Sequence, residues 1–273
     1  MGIILIPKKI HYCWFGGNPL PNDVKEYIAS WRKYCPDYEI IEWNEQNFDI
    51  SCNAYVKEAY DAKKWAFVAD YARLKVLYEF GGIYMDTDVE VVKTFDDLLN
   101  CQAFMCFEND KSVSIGTVGA VKNSSLIRDF LLAYTNRHFR KIDDSYDTTT
   151  NLKIVTDILL KNYGLKANGK LQVLKDIYIY PMEYFIAKSY FLGWIQQTKN
   201  TYAIHHYAGS WVNEEDKLQH ELLRSYACVY MKNLEVVALK LAGIKIAYEK
   251  NGCMGVLYKL MNKFYRLSGR FYG

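Results

Sequence analysis

The chain has little net charge, no long apolar run and no ordered cysteine pattern, and each shortage excludes something. Thirty-four Lys and Arg face 31 Asp and Glu, a net charge of +3 that does not build a nucleic-acid surface, and no zinc-finger signature is present. No stretch approaches the roughly 20 apolar residues that a membrane-spanning helix needs. Ahead of Pro7-Lys8-Lys9 only Ile3 to Ile6 are apolar, too short for a signal-peptide core, and Ile6 stands where a myristoylation motif needs Ser or Thr. The seven cysteines (Cys13, Cys35, Cys52, Cys101, Cys106, Cys228, Cys253) are odd in number and scattered, with no C-x-x-C. That argues against a disulfide framework or a thiolate zinc site and fits a reducing compartment. The expected setting is therefore cytoplasmic. Internal repeats and low-complexity tracts are absent as well.

What is present suits a large core: 273 residues, 51% of them hydrophobic. Ile10 to Phe15 reads as a buried strand stopped by Gly16-Gly17. Val24, Tyr27, Ile28, Trp31 and Cys35 recur at helical spacing until Pro36, and Glu39 to Trp43 is a second strand. Strand, helix and strand in some thirty residues predict a βαβ unit with parallel strands. Trp65, Val68, Ala69, Ala72, Val76 and Phe80 mark one stripe of a further helix, with Gly81 as a left-handed stop. Strands are expected at Ala103 to Phe107, Ile177 to Tyr180 and Tyr202 to Tyr207, a helix at Ser125 to Asn136, and a loop at Asp143 to Asn151. The pattern is α/β for residues 1–220. Residues 221–273 read as a helical extension, in which Lys259, Lys263, Arg266 and Arg270 form a basic stripe opposite Val256, Leu257, Leu260, Met261 and Phe264. Such a helix either lies on an anionic membrane surface or packs on the core with its cationic face solvated.

The most informative local feature is Gly81-Gly82-Ile83-Tyr84-Met85-Asp86-Thr87-Asp88-Val89. If the strand continues through it, Tyr84, Asp86 and Asp88 share one face, and Ile83, Met85, Thr87 and Val89 the other. Two neighbouring carboxylates repel and resist burial, and a hard divalent cation such as Mg²⁺ or Mn²⁺ removes that penalty while leaving positions open for phosphate oxygens. A D-x-D triplet alone is equally a solvated strand edge. Asp70 and Arg73, three apart on the preceding helix, are at least an intrahelical ion pair. Their place beside Ala69 and Ala72 also suits an Arg meeting phosphate and an Asp accepting sugar hydroxyls. Trp14, at the carboxyl end of the first strand, is either core or a stacking face for a base. His205 and His206 adjoin at a strand end, where neutral imidazole is a ready transition-metal ligand. Glu108 and Asn109 follow a strand and either flank the reacting sugar carbon or line a solvated loop.

Four pieces occur in order: Ile6-Pro7-Lys8-Lys9-Ile10-His11-Tyr12-Cys13-Trp14-Phe15-Gly16-Gly17, then Asp70-Tyr71-Ala72-Arg73, then the Gly81 to Asp88 segment, then His205-His206-Tyr207-Ala208-Gly209-Ser210-Trp211. Together they resemble the family 32 glycosyltransferases, whose sugar-binding region contains D-x-D, and in particular bacterial capsular-polysaccharide members. The likeness runs from about Ile6 to Trp211. It implies a GT-A fold, a mixed sheet flanked by helices. It also implies retaining transfer of a hexose from a UDP- or GDP-sugar to an oligosaccharide or lipid-linked glycan, on the inner face of the membrane, in surface polysaccharide biosynthesis.

Carried over by position, Trp14 would stack on the base, and Asp70 and Arg73 would hold the donor sugar and its phosphates. Tyr84 would line the donor site, Asp86 would contact ribose and metal, and Asp88 would ligate Mn²⁺ or Mg²⁺. His205, or else His206, would complete the metal or diphosphate site. Asn109, Ser210 and Trp211 would complete the donor-binding set, with Trp211 closing over it. Where many relatives carry Thr-Gly-Pro, this chain reads Asp147-Thr148-Thr149-Thr150-Asn151, so acceptor-side contacts do not carry over. Two other readings compete. Ile83 to Val89 also fits the D-x-D-x-[TV] motif of haloacid-dehalogenase-type phosphatases, with Asp143-Asp144 as a later acidic motif, although some eighty residues precede it. The third reading is a non-catalytic nucleotide-sugar-binding scaffold.

Overall fold

Alternation in two central strands sorts the apolar residues into two layers. In β3 (Gly82–Met85), Ile83 and Met85 point into one cluster and Tyr84 into the other. In β5 (Ala103–Phe107), Phe104 and Cys106 oppose Ala103, Met105 and Phe107 in the same way. A sheet buried on both faces needs covering on both. In this computed structural model, which describes residues 5–190 and 193–209 and a few isolated positions from 215 to 248, helices supply that cover.

The seven-stranded mixed sheet runs β2-β1-β3-β6-β5-β8-β7. The strands around β3 and β5 are β1 (Lys9–Cys13), β2 (Glu39–Trp43), β6 (Val113–Ala120), β7 (Gln172–Leu174) and β8 (Ile177–Tyr180). β1 is parallel to both β2 and β3, while β6 is antiparallel to β3 and β5. One face packs on α1 (Asn22–Tyr34) and on a separate two-stranded ribbon, β4 (Val89–Val91) with β9 (Ala203–His205). The other is covered by α2 (Ala54–Asp61), α3 (Trp65–Phe80), α4 (Ser125–Leu132) and α5 (Asn151–Asn162).

The α/β expectation and the parallel βαβ unit are met, and β2, β5 and β8 occupy their expected residues. Other boundaries shift for local reasons. β1 stops at Cys13, just before the positive-φ pair Gly16 and Gly17. β9 ends at His205, two residues before Tyr207 takes a φ of 58°. α4 ends at Leu132, short of the expected Asn136, and Asn151 begins a helix instead of ending a loop. The apolar stripe on α3 is an underestimate. That helix buries Val68, Tyr71, Ala72, Arg73, Leu74, Val76 and Leu77, because it lies against β1 and β3 on one side and α2 and α4 on others. Phe80, assigned to the stripe, is 40% exposed. Gly81 does stop the helix at φ 65°, but its ψ of −179° sends the chain straight into β3 instead of closing a left-handed cap. A Cβ there would lie 2.6 Å from the Lys122 backbone nitrogen.

The chain divides into two units, Met1–Lys188 with Ile195–Ala208, and Ser189–Trp194 with Gly209–Gly273. Every element above belongs to the first. In the second, the described positions 215, 218, 219, 222, 243–245 and 248 are helical. The basic stripe from Lys259 to Arg270 lies outside the described residues. No described helix is long and apolar enough to cross a membrane.

Close contact between β6 and β5 sets a first prediction. A Cβ at Gly119 would meet the ring of Phe104 at 2.2 Å, and Phe104 is fully buried. Gly119→Ala should cost about 1–3 kcal/mol through overpacking, read as a lower urea midpoint with an unchanged m-value.

Candidate functional site

The acidic pair does not lie on a continuous strand. β3 ends at Met85, and Val89 N donates to Asp86 O at 3.1 Å, closing a turn over Asp86-Thr87-Asp88. The two carboxylates still converge, because the turn folds them toward one another instead of relying on strand alternation. Asp86 N donates to Gly116 O at 2.8 Å, fixing the turn to β6. From it β4 departs and pairs antiparallel with β9, setting Val89 opposite His205. α1 buttresses this ribbon, with Trp31 Nε1 donating to Val89 O at 2.7 Å. His206 N then donates to Asp88 O at 2.8 Å. A segment more than a hundred residues further along thereby reaches the turn, and His205 Nε2 lies 3.1 Å from Asp88 Oδ1.

Asp86, Asp88 and His205 each offer a ligand atom, all within 4.8 Å of one another. Behind them stands Arg73, almost wholly buried. Its Nη2 is 3.0 Å from Asp70 Oδ1 and its Nη1 is 3.2 Å from Asp86 Oδ1. Nη1 also donates to Ile115 O at 3.1 Å, Nε donates to Ala69 O at 3.2 Å, and the guanidinium sits 4.7 Å from the Tyr84 ring centre. Tyr84 donates its hydroxyl to Asp86 Oδ1 at 3.0 Å.

Burial and charge pull the three carboxylates apart in acidity. Burial pushes Asp70 up to about 6, opposed by Arg73 and assisted by Asp86. Burial likewise raises Asp86, opposed by Arg73 and reinforced by Asp88. At Asp88 burial also acts upward, but the His205 imidazolium, its hydrogen bond and the Ala208 N–H hold the carboxyl down at about 2. Ala208 N donates to Asp88 Oδ2 at 2.7 Å. Burial depresses His205, yet Asp88, Asp86 and Glu108 outweigh it and lift the imidazole to about 9. Three carboxylates are thus balanced by Arg73 and a protonated His205. The donor set fits a divalent cation: two carboxylate oxygens and one imidazole nitrogen, with a local negative charge that a proton on His205 neutralises only in part.

Other expected residues fare differently. Trp14 lies one residue past β1 at the same sheet end as Asp86, half-buried, with Nε1 donating to Asn18 O at 2.6 Å. His206 turns away from the pair. Its Nε2 is 2.9 Å from Glu90 Oε2, its Nδ1 is 3.2 Å from Lys188 Nζ, and Tyr27 stacks on it at 4.5 Å. His206 lies just past the end of β9, and of the two histidines it is His205 whose ring nitrogen approaches the aspartates. Asn109 is not drawn in, because its Oδ1 accepts from Lys111 N and Ser112 N within its own loop. Glu108 accepts from Tyr207 at 2.8 Å, and the Tyr207 ring stacks 4.5 Å from that of His205. Ser210 and Trp211 lie outside the described residues. The phosphatase reading finds no support in this surrounding. Among the described residues the cations paired with Asp86 and Asp88 are Arg73 and His205, no lysine, while Asp143 and Asp144 serve an exposed turn, bonded to Ser145 and Arg140.

Sequence reasoning missed Gly116. A Cβ there would lie 2.9 Å from Asp86 Oδ2 and 3.2 Å from His205 Cε1. A glycine inside a strand signals close approach, but the strand itself had gone unrecognised. Also missed was the 147–151 segment, which reaches the site: Asn151 Nδ2 donates to the Asp70 carbonyl at 3.0 Å. Arg137 holds that segment, with Nε 2.7 Å from Asp147 Oδ2 and Nη2 donating to Thr149 O at 2.9 Å.

Two aspartates and a histidine thus gather at the end of a mixed α/β sheet, where they could hold a metal ion, and comparison with known proteins shows what the surrounding segment is similar to. Residues 21–105 match the family described as glycosyltransferase sugar-binding region containing DXD motif. The matched segment carries Asp70, Arg73, Asp86 and Asp88. The chain is 28% identical to inositol phosphoceramide mannosyltransferase 3 of Schizosaccharomyces pombe over 52% of its own length and 42% of the relative's. It is 25% identical to the uncharacterized glycosyltransferase L373 of Acanthamoeba polyphaga mimivirus, covering 68% of this chain and 77% of that one. It is 30% identical to the mannosyl phosphorylinositol ceramide synthase CSH1 of Saccharomyces cerevisiae, covering 43% and 32%. The chain therefore spans less than half the length of both yeast relatives. Among solved structures, the PaToxG glycosyltransferase aligns at a TM-score of 0.48 and 21% identity, over 60% of this chain and 71% of that one.

Two predictions follow from this geometry. Gly116→Ala should push the Asp86 carboxylate out of place and weaken Mn²⁺ binding by about tenfold or more, measured by calorimetry, with little change in far-UV circular dichroism. The Arg137 clamp should respond to acid. Burial raises Asp147, but its bonds to Arg137 and Thr149 prevail and hold it at about 2, below the ordinary 3.8. Its contribution to stability is then complete above pH 3.8 and lost as pH falls through 2. Asp147→Asn should flatten that part of the acid-unfolding curve.

Proposed function

We propose that this chain is a metal-dependent, retaining glycosyltransferase moving a hexose from a nucleoside-diphosphate sugar to a glycan or lipid-linked acceptor. The observation carrying the reading is the approach of Asp86, Asp88 and His205 to within 4.8 Å, beside the Asp70–Arg73 pair. The relative named an inositol phosphoceramide mannosyltransferase favours a hexose as the group moved. A role in surface polysaccharide assembly at the inner face of a membrane accords with the capsular-type resemblance and with the basic C-terminal stripe, taken as a helical extension over 221–273.

Asp86, Asp88 and His205 would hold Mn²⁺ or Mg²⁺, which when bound offsets the charge that develops on the departing diphosphate. Asp86 has a second task at the ribose, and Asp70 accepts hydroxyls of the donor sugar. Arg73, engaged by Asp70, Asp86 and Ile115 at once, keeps these carboxylates ionised and aimed. Trp14 stacks on the base, and Tyr84 lines the donor site. Retention follows from same-face attack. The acceptor oxygen bonds to the anomeric carbon as the bond to the diphosphate breaks, and the acceptor's proton passes to the departing phosphate oxygen.

The test is turnover of GDP-mannose, UDP-glucose and UDP-galactose with Mn²⁺, read as release of nucleoside diphosphate. Chelation should stop it, and Asp88→Ala should slow it by about a hundredfold or more. Release of phosphate from p-nitrophenyl phosphate, with no nucleotide sugar consumed, would overturn the reading in favour of a phosphatase.

A further inference from the structure

Buried polar atoms are normally paired, and the exceptions call for explanation. Among the described residues four buried side-chain atoms find no partner: the hydroxyls of Tyr55 and Tyr134, Nη1 of Arg137 and Oδ1 of Asn151. They are not scattered. The Tyr55 and Tyr134 rings meet edge to face at 5.0 Å, and the Arg137 guanidinium lies 4.5 Å from one ring centre and 5.0 Å from the other. Asn151 is tied to Asp70 through its Nδ2. Tyr134 also meets Tyr71, the residue next to Asp70, at 5.5 Å between ring centres, and the charge of Asp70 bears on both phenols and on Arg137.

The chemistry of the unpaired atoms selects a ligand class. Burial, then the charge of Asp70, pushes both phenols upward, so each remains an O–H donor at neutral pH. Arg137 Nη1 is a donor, whereas Asn151 Oδ1 and the Asp70 carboxylate are acceptors. An anion would satisfy the donors and repel the acceptors, and a cation would do the reverse. Neighbouring hydroxyls donate and accept together, so a polyol satisfies the whole set. Charge points the same way, since Arg73 is matched by Asp70 and Asp86 and Arg137 by Asp147, with no positive excess for a carboxylated ligand.

We infer that Tyr55, Tyr134, Arg137 and Asn151 form a hydroxyl-reading pocket beside Asp70, which takes the uncharged hexose ring of the donor and sets which sugar is accepted. The inference rests on the donor reading given above and adds the residues of sugar choice to it. It also gives the 147–151 segment a task. Arg137 grips Asp147 and Thr149, and Thr150 caps α5 so that its first residue, Asn151, bonds to the Asp70 carbonyl.

The experiment titrates the full chain with Mn²⁺ and, in turn, UDP, GDP, UDP-glucose, UDP-galactose, GDP-mannose and UDP-glucuronic acid, by calorimetry, for wild type, Tyr55→Phe and Tyr134→Phe. Wild type should prefer one neutral nucleotide sugar over its bare nucleoside diphosphate. Each variant should keep the diphosphate affinity, within about twofold, and lose about three- to tenfold for the sugar, the scale of one hydrogen bond. The melting temperature of the ligand-free variants should stay level or rise, because an unpaired hydroxyl has been removed without altering ring packing. Unchanged sugar discrimination in both variants overturns the pocket while leaving the transferase reading intact. A lower melting temperature with unchanged discrimination does the same, by showing that the hydroxyls hold only internal water. Preference for the glucuronic acid donor overturns the assignment to a neutral ring. Failure of wild type to bind either bare diphosphate overturns both readings.

Discussion

Bringing three carboxylates together at the inner end of a sheet requires counter-charge, and the surroundings of Asp70, Asp86 and Asp88 supply it. Arg73 takes the first two and His205 the third. Unpaired burial of such groups costs several kcal/mol each by order of magnitude, so helix α3 cannot rotate or slide without exposing that penalty. The consequence appears in α3 itself, whose buried side includes a charged arginine among Val68, Leu74 and Leu77. The pairing fixes the helix against the sheet, and the fixed helix keeps the pairing.

The same balance separates groups that share a chemistry. Asp88, bonded to an imidazolium and a backbone N–H, stays ionised far below neutrality, whereas Asp70 and Asp86 are raised by burial despite Arg73. A site with one firmly anionic ligand and two softer carboxylates can grip a hard cation at one end. At the other it leaves acceptors free to bond hydroxyls. Gly116 completes this arrangement by omission, since any side chain there would enter the space of Asp86 and His205.

Much of the scaffold was legible in the residues. β5 and β8 are short apolar runs, β2 is a β-branched pair between glutamates that ends on Trp43, and α3 declares itself by its periodicity and by Gly81. β6 was not legible. Its Ser114, Gly116, Thr117 and Gly119 dilute the apolar signal, although the strand is buried throughout. α2 begins at the Asn53 cap amid polar residues, and α5 begins inside a Thr-rich stretch that reads as loop. Asp86 and Asp88 do approach one another, but a turn aims them and not the extended strand that the local pattern suggests. That His205 and not His206 approaches Asp88 depends on the pairing of His205 with Val89 across β4 and β9, a fact of long-range register invisible in local sequence. The polar cluster near Asp70 was hidden for the same reason, since Tyr55, the Tyr134–Arg137 turn and Asn151 come from three separate stretches.

The β4–β9 ribbon carries one more implication. Its two strands are separated by more than a hundred residues, including most of the sheet, so the loop it closes is among the longest in the described chain. The stretch that marks the family ends at residue 105 and contains both aspartates but not the imidazole. As the polypeptide leaves the ribosome, the acidic turn is therefore synthesised well before its partner. For that interval Asp88 has neither its imidazolium nor the Ala208 amide, and competence arrives only when the chain's late strand returns to the early one.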